Sequence, residues 1–432
     1  MRHSLFTLLV ALTLPALLAS NMGGCDTSFF FGNNGGDAND IDNGGDANDI
    51  DNGGGGGLTA VKTGITMHCQ AGLRAGTDIL VYGTGSITGV NYIKPALGDT
   101  AGRGITSGDT YSSYAFAVAG NKIALVNDFQ VTIFDTADGT SNTIPKTDIR
   151  LASTDLEAKT IHGNGQYVGV VCDAGDVTDG NVLKAIDTTG ATPAVIAFTK
   201  GPTGIQQLAV DGARVIVSTN SDAFYRFDLA QPDADPVVFD VSAQGGIGGD
   251  YWVADGGFIF YRDSDNNNAK LLDTSNAANT PVTMTANPAA GAFALGGGKF
   301  CYFADRDADD SHGSHNRSAI GTVPGPGATL AGNTMIDGST ANNNFVGWGQ
   351  TCDITPGGNY TFIGGWGDMG QGGYLQYSTG GTFTVIADPT GGDAWGCPGT
   401  DPTCSDKFCG FKTGASTTTS CDETQVGYVL LP

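Results

Sequence analysis

Glutamate is nearly missing from this 432-residue chain: Glu157 and Glu423 are the only two among 44 acidic residues, so aspartate carries the acid. Glutamate suits helices, whereas the shorter aspartate carboxylate bonds nearby backbone amides in turns. A glutamate-based glycosidase pair is thereby disfavoured, although aspartate pairs are not. Basic residues are also few, 20 Lys and Arg against a net charge of -24. Such a field repels phosphate backbones, and no basic stripe with interleaved aromatics offsets it, which argues against a nucleic-acid partner. Histidine (5) and tryptophan (4) are scarce. No GxSxG elbow occurs, and the glycines from Gly83 to Gly89 miss the spacing of a nucleotide-binding loop. After the first residues nothing sustains a 3.6-residue apolar period, which argues against α/β architectures.

Glycine, in contrast, is abundant at 68 residues, and it recurs in one phrase: a glycine turn, an apolar run, then usually a second run closing on aspartate. The copies begin at Gly76, Gly120, Gly165, Gly212, Gly256, Gly297 and Gly357, with intervals of 44, 45, 47, 44, 41 and 60 residues. A four-stranded propeller blade takes about 40–50 residues. Runs such as Ile123 to Val126 and Val215 to Val217 are continuously apolar, as inner strands between blades must be. The second runs end at Asp135, Asp187, Asp228 and Asp273, three of them followed by threonine, a natural exit into a turn. The fold class expected is all-β, a single β-propeller of seven four-stranded blades. The long sixth interval and the irregular tail after Ala387 leave six or eight open. Val426 to Leu431 is expected to pair with the first blade and remove an open sheet edge.

The first residues read as a signal peptide, with Arg2 and His3 before an apolar stretch from Leu5 to Leu18 that is short for a bilayer span. Met22-Gly23-Gly24-Cys25 resembles a bacterial lipobox, with Met22 in place of the usual leucine. The resemblance implies lipid on Cys25. Residues 1–24 are then the signal peptide, and 25–57 a low-complexity Gly/Asp/Asn linker in which GGDANDIDN occurs twice. Such a segment buries too little apolar surface to order itself. The propeller follows as residues 58–432.

Eight of the nine cysteines remain beyond Cys25, an even number that suits disulfides in an exported chain. Cys69, Cys172, Cys301 and Cys352 are dispersed through the blades. Cys397, Cys404, Cys409 and Cys421 crowd a loop rich in glycine, proline and threonine, where local bridges would supply order. The pairing is not legible. No CxxC pair supports zinc.

The most site-like segment holds Asp305, Asp307 and Asp309, alternate hard oxygen donors of the kind calcium takes, with His312 and His315 beyond. It lacks the glycine and the glutamate of a full calcium loop. Asp263 and Asp265 occupy the corresponding hairpin of the preceding unit. Trp348, Trp366 and Trp395 each precede a glycine, where flat indoles could stack on a sugar or peptide; filling gaps between small residues is the plainer role. No nucleophile or general base is legible, and no catalytic residue is assigned.

By the pattern of its blades the chain resembles bacterial cell-envelope lipoproteins carrying WD40-like or YVTN-like propellers, without their diagnostic dipeptides. That resemblance implies a monomeric, membrane-tethered protein of the periplasm or cell surface, binding protein or glycan without catalysis. A polysaccharide lyase or hydrolase with its site in the central funnel, and a purely structural envelope component, are the competing classes.

Overall fold

Each glycine phrase becomes an antiparallel sheet whose first strand ends at the glycine turn. In the computed structural model these sheets follow one another around a ring. The structure describes residues 57–68, 71–84, 89–105, 116–126, 130–145, 161–172, 182–248, 252–266, 268–304, 317–323, 334–336, 348–366, 374–379, 383–386, 402–414 and 423–432.

Among the described residues the blades number eight, not the expected seven. Their inner strands are Leu73–Ala75, Phe116–Ala119, Ile161–Asn164, Ile205–Asp211, Trp252–Asp255, the end of Val282–Gly296, Trp348–Ile354 and Thr403–Cys404, for blades 1 to 8 in turn. Each inner strand packs beside the next, and that of blade 8 returns to that of blade 1, so the ring is closed. Blades 5 and 6 share the strand Val282–Gly296. Its start pairs with Lys270 and Leu271 as the outer strand of blade 5, and its end pairs with Lys299–Tyr302 as the inner strand of blade 6.

Blade 8 was missed because its two halves lie at opposite ends of the sequence. Thr403–Cys404, Phe408–Gly414 and Glu423–Leu430 come from the C-terminal side, and Ala60–His68 adds the outer strand through pairs from Ala60↔Val429 to His68↔Glu423. Thr63 Oγ1 donates to the Val426 carbonyl at 2.6 Å. The final run therefore closes the ring inside its own blade rather than by pairing with blade 1. Its hairpin turn carries Ser405-Asp406 where the others carry glycine.

The core lies in the seams between blades. Ile123 and Leu125 share a cluster with Ile79, Val81 and Tyr92 of blade 1, whereas Ala124 and Val126 share one with Val168, Val170 and Ile186 of blade 3. Alternate residues of a strand point to opposite faces, and here both faces are covered by a neighbour. That is the reason for runs apolar at every position. The apolar clusters of the described residues fall at the eight seams, one to each. Fully burying one such side chain contributes roughly 1.5–3 kcal/mol. Outer strands such as Ser141–Pro145 and Ala194–Ala197 have one neighbour fewer and are mostly exposed.

The aspartates ending the third strands are turn residues, as their composition suggested. Asp135, Asp187, Asp228 and Asp273 each accept the amide of the residue two positions on, at 2.7–2.9 Å. After three of them, Thr136, Thr188 and Thr274 return both amide and hydroxyl to the carbonyl of the blade's first turn.

Candidate functional site

Inner strands of a propeller leave one edge unpaired, facing the central channel. Unpaired backbone groups there need partners, and side chains from the preceding blade supply them. His162 and Asn164 lie two apart on the inner strand of blade 3 and so share a face. His162 Nδ1 accepts the Val210 amide at 3.1 Å, while Asn164 Nδ2 donates to the Val210 carbonyl at 3.2 Å, so both polar groups of that blade 4 residue are satisfied. Asp353 of blade 7 accepts the Cys404 amide of blade 8 at 2.7 Å and its neighbour Ile354's amide at 2.8 Å. Thr403 of blade 8 accepts the Ala75 amide of blade 1 at 3.0 Å. Gly163, beside His162, has no room for a side chain: a Cβ would stand 2.4 Å from the Val118 carbonyl oxygen of blade 2.

These contacts gather the polar groups of the channel wall. Arg74 of blade 1, His162 of blade 3 and Asp353 of blade 7 are far apart in sequence, yet the Arg74 charge acts on both of the others. His162 is open to solvent yet enclosed by protein, the situation of a channel-lining group. Desolvation, aided by Arg74, lowers its pKa to about 4. It is therefore neutral at pH 7, and with Nδ1 accepting a hydrogen bond its proton sits on Nε2. Desolvation raises Asp353 to about 7, against the two amide hydrogen bonds and Arg74, which favour the carboxylate. Arg74 donates to the Leu73 carbonyl at 2.9 Å. At neutral pH the wall thus offers a guanidinium and an imidazole N–H as donors, and a carboxyl near its midpoint. His162 and Asp353 stand four blades apart in a ring of eight, on opposite walls. Sequence reading passed over all three residues, since each is solitary in its own strand.

A collar of touching turns rims one end of the channel. Thr77 donates its amide to the Gly120 carbonyl at 2.9 Å, and Asp78 exchanges hydrogen bonds with the Asn121 amide group at 2.7 and 2.8 Å. Lys407 of blade 8 pairs with Asp78, and these hydrogen bonds from Lys407 and Asn121 hold the Asp78 carboxyl below its usual range. Asp406 accepts the Gly357 amide of blade 7 at 2.7 Å. Asp211 takes the amides of Gly256 and Gly257, each at 2.9 Å.

The residues singled out from sequence fall elsewhere. Asp263 is buried in its hairpin: Oδ1 accepts the amides of Asn266 (2.8 Å) and Asn268 (3.2 Å), and Oδ2 lies 3.2 Å from Lys270 Nζ. In this arrangement the Lys270 ammonium is the cation beside Asp263. Asp265 is exposed, its amide donating to the Gly245 carbonyl. Among the described residues, no three His, Cys, Asp or Glu side chains are grouped to hold a metal. Trp348 and Trp366 are register partners in the inner and second strands of blade 7; their side chains, and that of Cys172, lie outside the described set. So do Cys25, the signal peptide and linker, Cys69, Asp305, Asp307, Asp309, His312, His315, Trp395, Cys397 and Cys421. The fourth tryptophan, Trp252, is core: its indole N–H donates to Ser218 Oγ at 3.1 Å and its ring meets Phe224 edge-on. Cys404 and Cys409 are disulfide-bonded across the turn of blade 8, with Cα atoms 4.1 Å apart.

No protein-family model matches the chain. No curated protein matches it in sequence. Solved structures resemble it in shape. BamB from Moraxella catarrhalis is 12% identical, with a TM-score of 0.48 over 86% of this chain and 97% of its own. The β-propeller domain of the Trilobed protease from Pyrococcus furiosus is 9% identical, with a TM-score of 0.44 over 85% and 93%. AztD from Citrobacter koseri is 12% identical, with a TM-score of 0.41 over 68% and 74%. Likeness this distant carries no information about ligand or reaction. The propeller assignment stands on the strand order itself. Among the described residues no helix is long and apolar enough to cross a membrane.

Proposed function

We propose that the chain is an extracytoplasmic propeller, tethered through lipid on Cys25 and the 25–57 linker, that binds a protein or glycan partner as a monomer without transforming it. The observation that supports binding is the use made of the polar channel groups. Both Asp353 oxygens and His162 Nδ1 are engaged by backbone amides of the wall, and the two residues stand on opposite walls. General acid–base work needs groups within hydrogen-bond reach of one reacting centre. What the channel offers instead is a rim of hydrogen-bonded turns and a few donors held by the wall.

The competing reading, a polysaccharide lyase or hydrolase acting in the channel, draws on Asp353, whose pKa near 7 would suit a base. One experiment separates the two. The intact chain is screened against immobilised envelope glycans and cell-surface proteins, and in parallel against soluble polysaccharides for release of reducing ends or unsaturated products. Retention without product is the expected result. Turnover that disappears in D353N or H162N would replace binding with catalysis. A chelator arm in the same screen tests the Asp305, Asp307 and Asp309 run: thermal stability and retention indifferent to chelator would remove calcium. Globomycin tests the anchor, and a precursor that fails to accumulate would remove lipid from Cys25.

A further inference from the structure

Blades 6 and 7 each contribute one unbonded cysteine to the apolar seam between them. Cys301 lies in the second strand of blade 6 (Lys299–Ala304) and Cys352 in the inner strand of blade 7 (Trp348–Ile354). They share a cluster with Ala294, Ile354 and Ile363. Cys301 is fully buried and Cys352 is 9% exposed. Both are free thiols, and they stand within hydrogen-bonding reach of one another. The backbones around them are equally close: a Cβ on Gly296 would lie 2.9 Å from the Ile354 carbonyl oxygen. Both cysteines fall within the widest interval of the repeat, from Gly297 to Gly357, one near each end of it.

We propose that Cys301 and Cys352 are a native disulfide pair that ties blade 6 to blade 7 across the seam. Among the described residues the other seams are held by apolar contacts, hydrogen bonds and the Lys407–Asp78 ion pair; a covalent link here would close a long loop within the widest interval, where constraint of the unfolded chain is large. The chemistry is thiol–disulfide exchange. The thiolate of one cysteine attacks the disulfide of an exported oxidant, forming a mixed disulfide and releasing one oxidant thiol. The second thiolate then attacks the protein sulfur, forming the Cys301–Cys352 bond and releasing the other. Two protein S–H groups are oxidised, and one oxidant disulfide is reduced to two thiols. Burial pushes the Cys352 thiol well above its usual range, so the exchange belongs to folding, before the seam excludes water and solvated oxidant. The pairing rests on the extracytoplasmic reading, because a reducing compartment would keep both thiols.

The test is peptide mapping of the full chain, purified from the envelope of an exporting bacterium, alkylated in denaturant without reductant and digested. The expected result is a peptide joining Cys301 to Cys352 that vanishes on reduction, beside the Cys404–Cys409 bridge. Alkylated Cys301 and Cys352 beside an intact Cys404–Cys409 bridge would overturn the pairing and leave the compartment standing. Alkylation of all four would overturn both. A link from either residue to Cys69, Cys172, Cys397 or Cys421 would also overturn it. As a second measurement, reductant should lower the urea midpoint of the parent chain by more than that of C301A/C352A, and equal shifts would count against the link.

Discussion

Gly297, in the first turn of blade 6, runs so close to Gly358 in that of blade 7 that a Cβ on Gly297 would lie 2.2 Å from the Gly358 nitrogen. The converse holds too, with a Cβ on Gly358 falling 2.6 Å from the Gly297 carbonyl oxygen. Both residues also have positive φ, +53° and +69°. Backbone shape alone would cost an alanine about 1 kcal/mol here, and the collision adds to it. G297A is therefore expected to lose roughly 3 kcal/mol or more in urea unfolding, in the range of steric core defects. G256A is the control, because Gly256 has φ +60° but open space around it; it should lose only the backbone share.

Cations from one blade cap the threonine carbonyls of the next. Lys94 Nζ donates to the Thr136 carbonyl at 2.9 Å, Lys122 Nζ to that of Thr188, and Arg226 to that of Thr274. Lys122 also lies 3.5 Å from Asp135. Exchange to methionine keeps the stem and removes the charge-assisted hydrogen bond, so K122M is expected to lose about 1–2 kcal/mol. High salt should leave most of that loss in place, because a carbonyl contact is screened less than a surface ion pair. A K122M chain matching its parent in urea midpoint would show that these caps contribute nothing.

Asp255 ends the inner strand of blade 5 beside Asp211, and burial together with that like charge raises it to about 6. A carboxyl raised in the folded state stabilises less as pH climbs from about 4 to 6, since the folded chain alone retains the proton there. D255N removes the repulsion while Asp211 keeps its bonds to Gly256 and Gly257. The variant should be more stable than its parent at pH 7 by on the order of 1 kcal/mol, and the difference should disappear near pH 4. Thermal unfolding at the two pH values decides it.

The two channel carboxyl and imidazole groups pull stability in opposite directions. Asp353, at about 7 when folded, holds a proton that the unfolded chain has lost, so its contribution falls as pH rises from about 4 to 7. His162, at about 4 when folded, stays neutral while the unfolded chain is protonated below about 6.5, so its contribution rises with pH over about 4 to 6.5. H162N keeps an acceptor for the Val210 amide and removes the second trend. Relative to the parent chain, it should lose stability as pH rises through that window, and D353N should gain. Parallel curves for all three chains would place neither group in an enclosed wall.

Much of the ring was legible because its signals are local. Alternating two-sided apolar runs such as Ile123 to Val126, glycine turns and aspartate-threonine exits each depend on a few neighbouring residues, and they located seven blades and their turns. The eighth escaped because Ala60–His68 and Glu423–Leu430 become neighbours only when the ring closes. Its one local trace is the Lys407-Phe408-Cys409 run, which repeats Lys299-Phe300-Cys301 of blade 6.

Composition and short-range pattern were enough to set the strand material, its repeat length and the all-β class, since turn preference and side-chain alternation act within a few residues. Closure alone decided the blade count, the placing of Arg74, His162 and Asp353 around one channel, and the approach of Cys301 to Cys352. Those depend on which unpaired strand edge lies beside which, and that is settled by packing between blades distant in the chain.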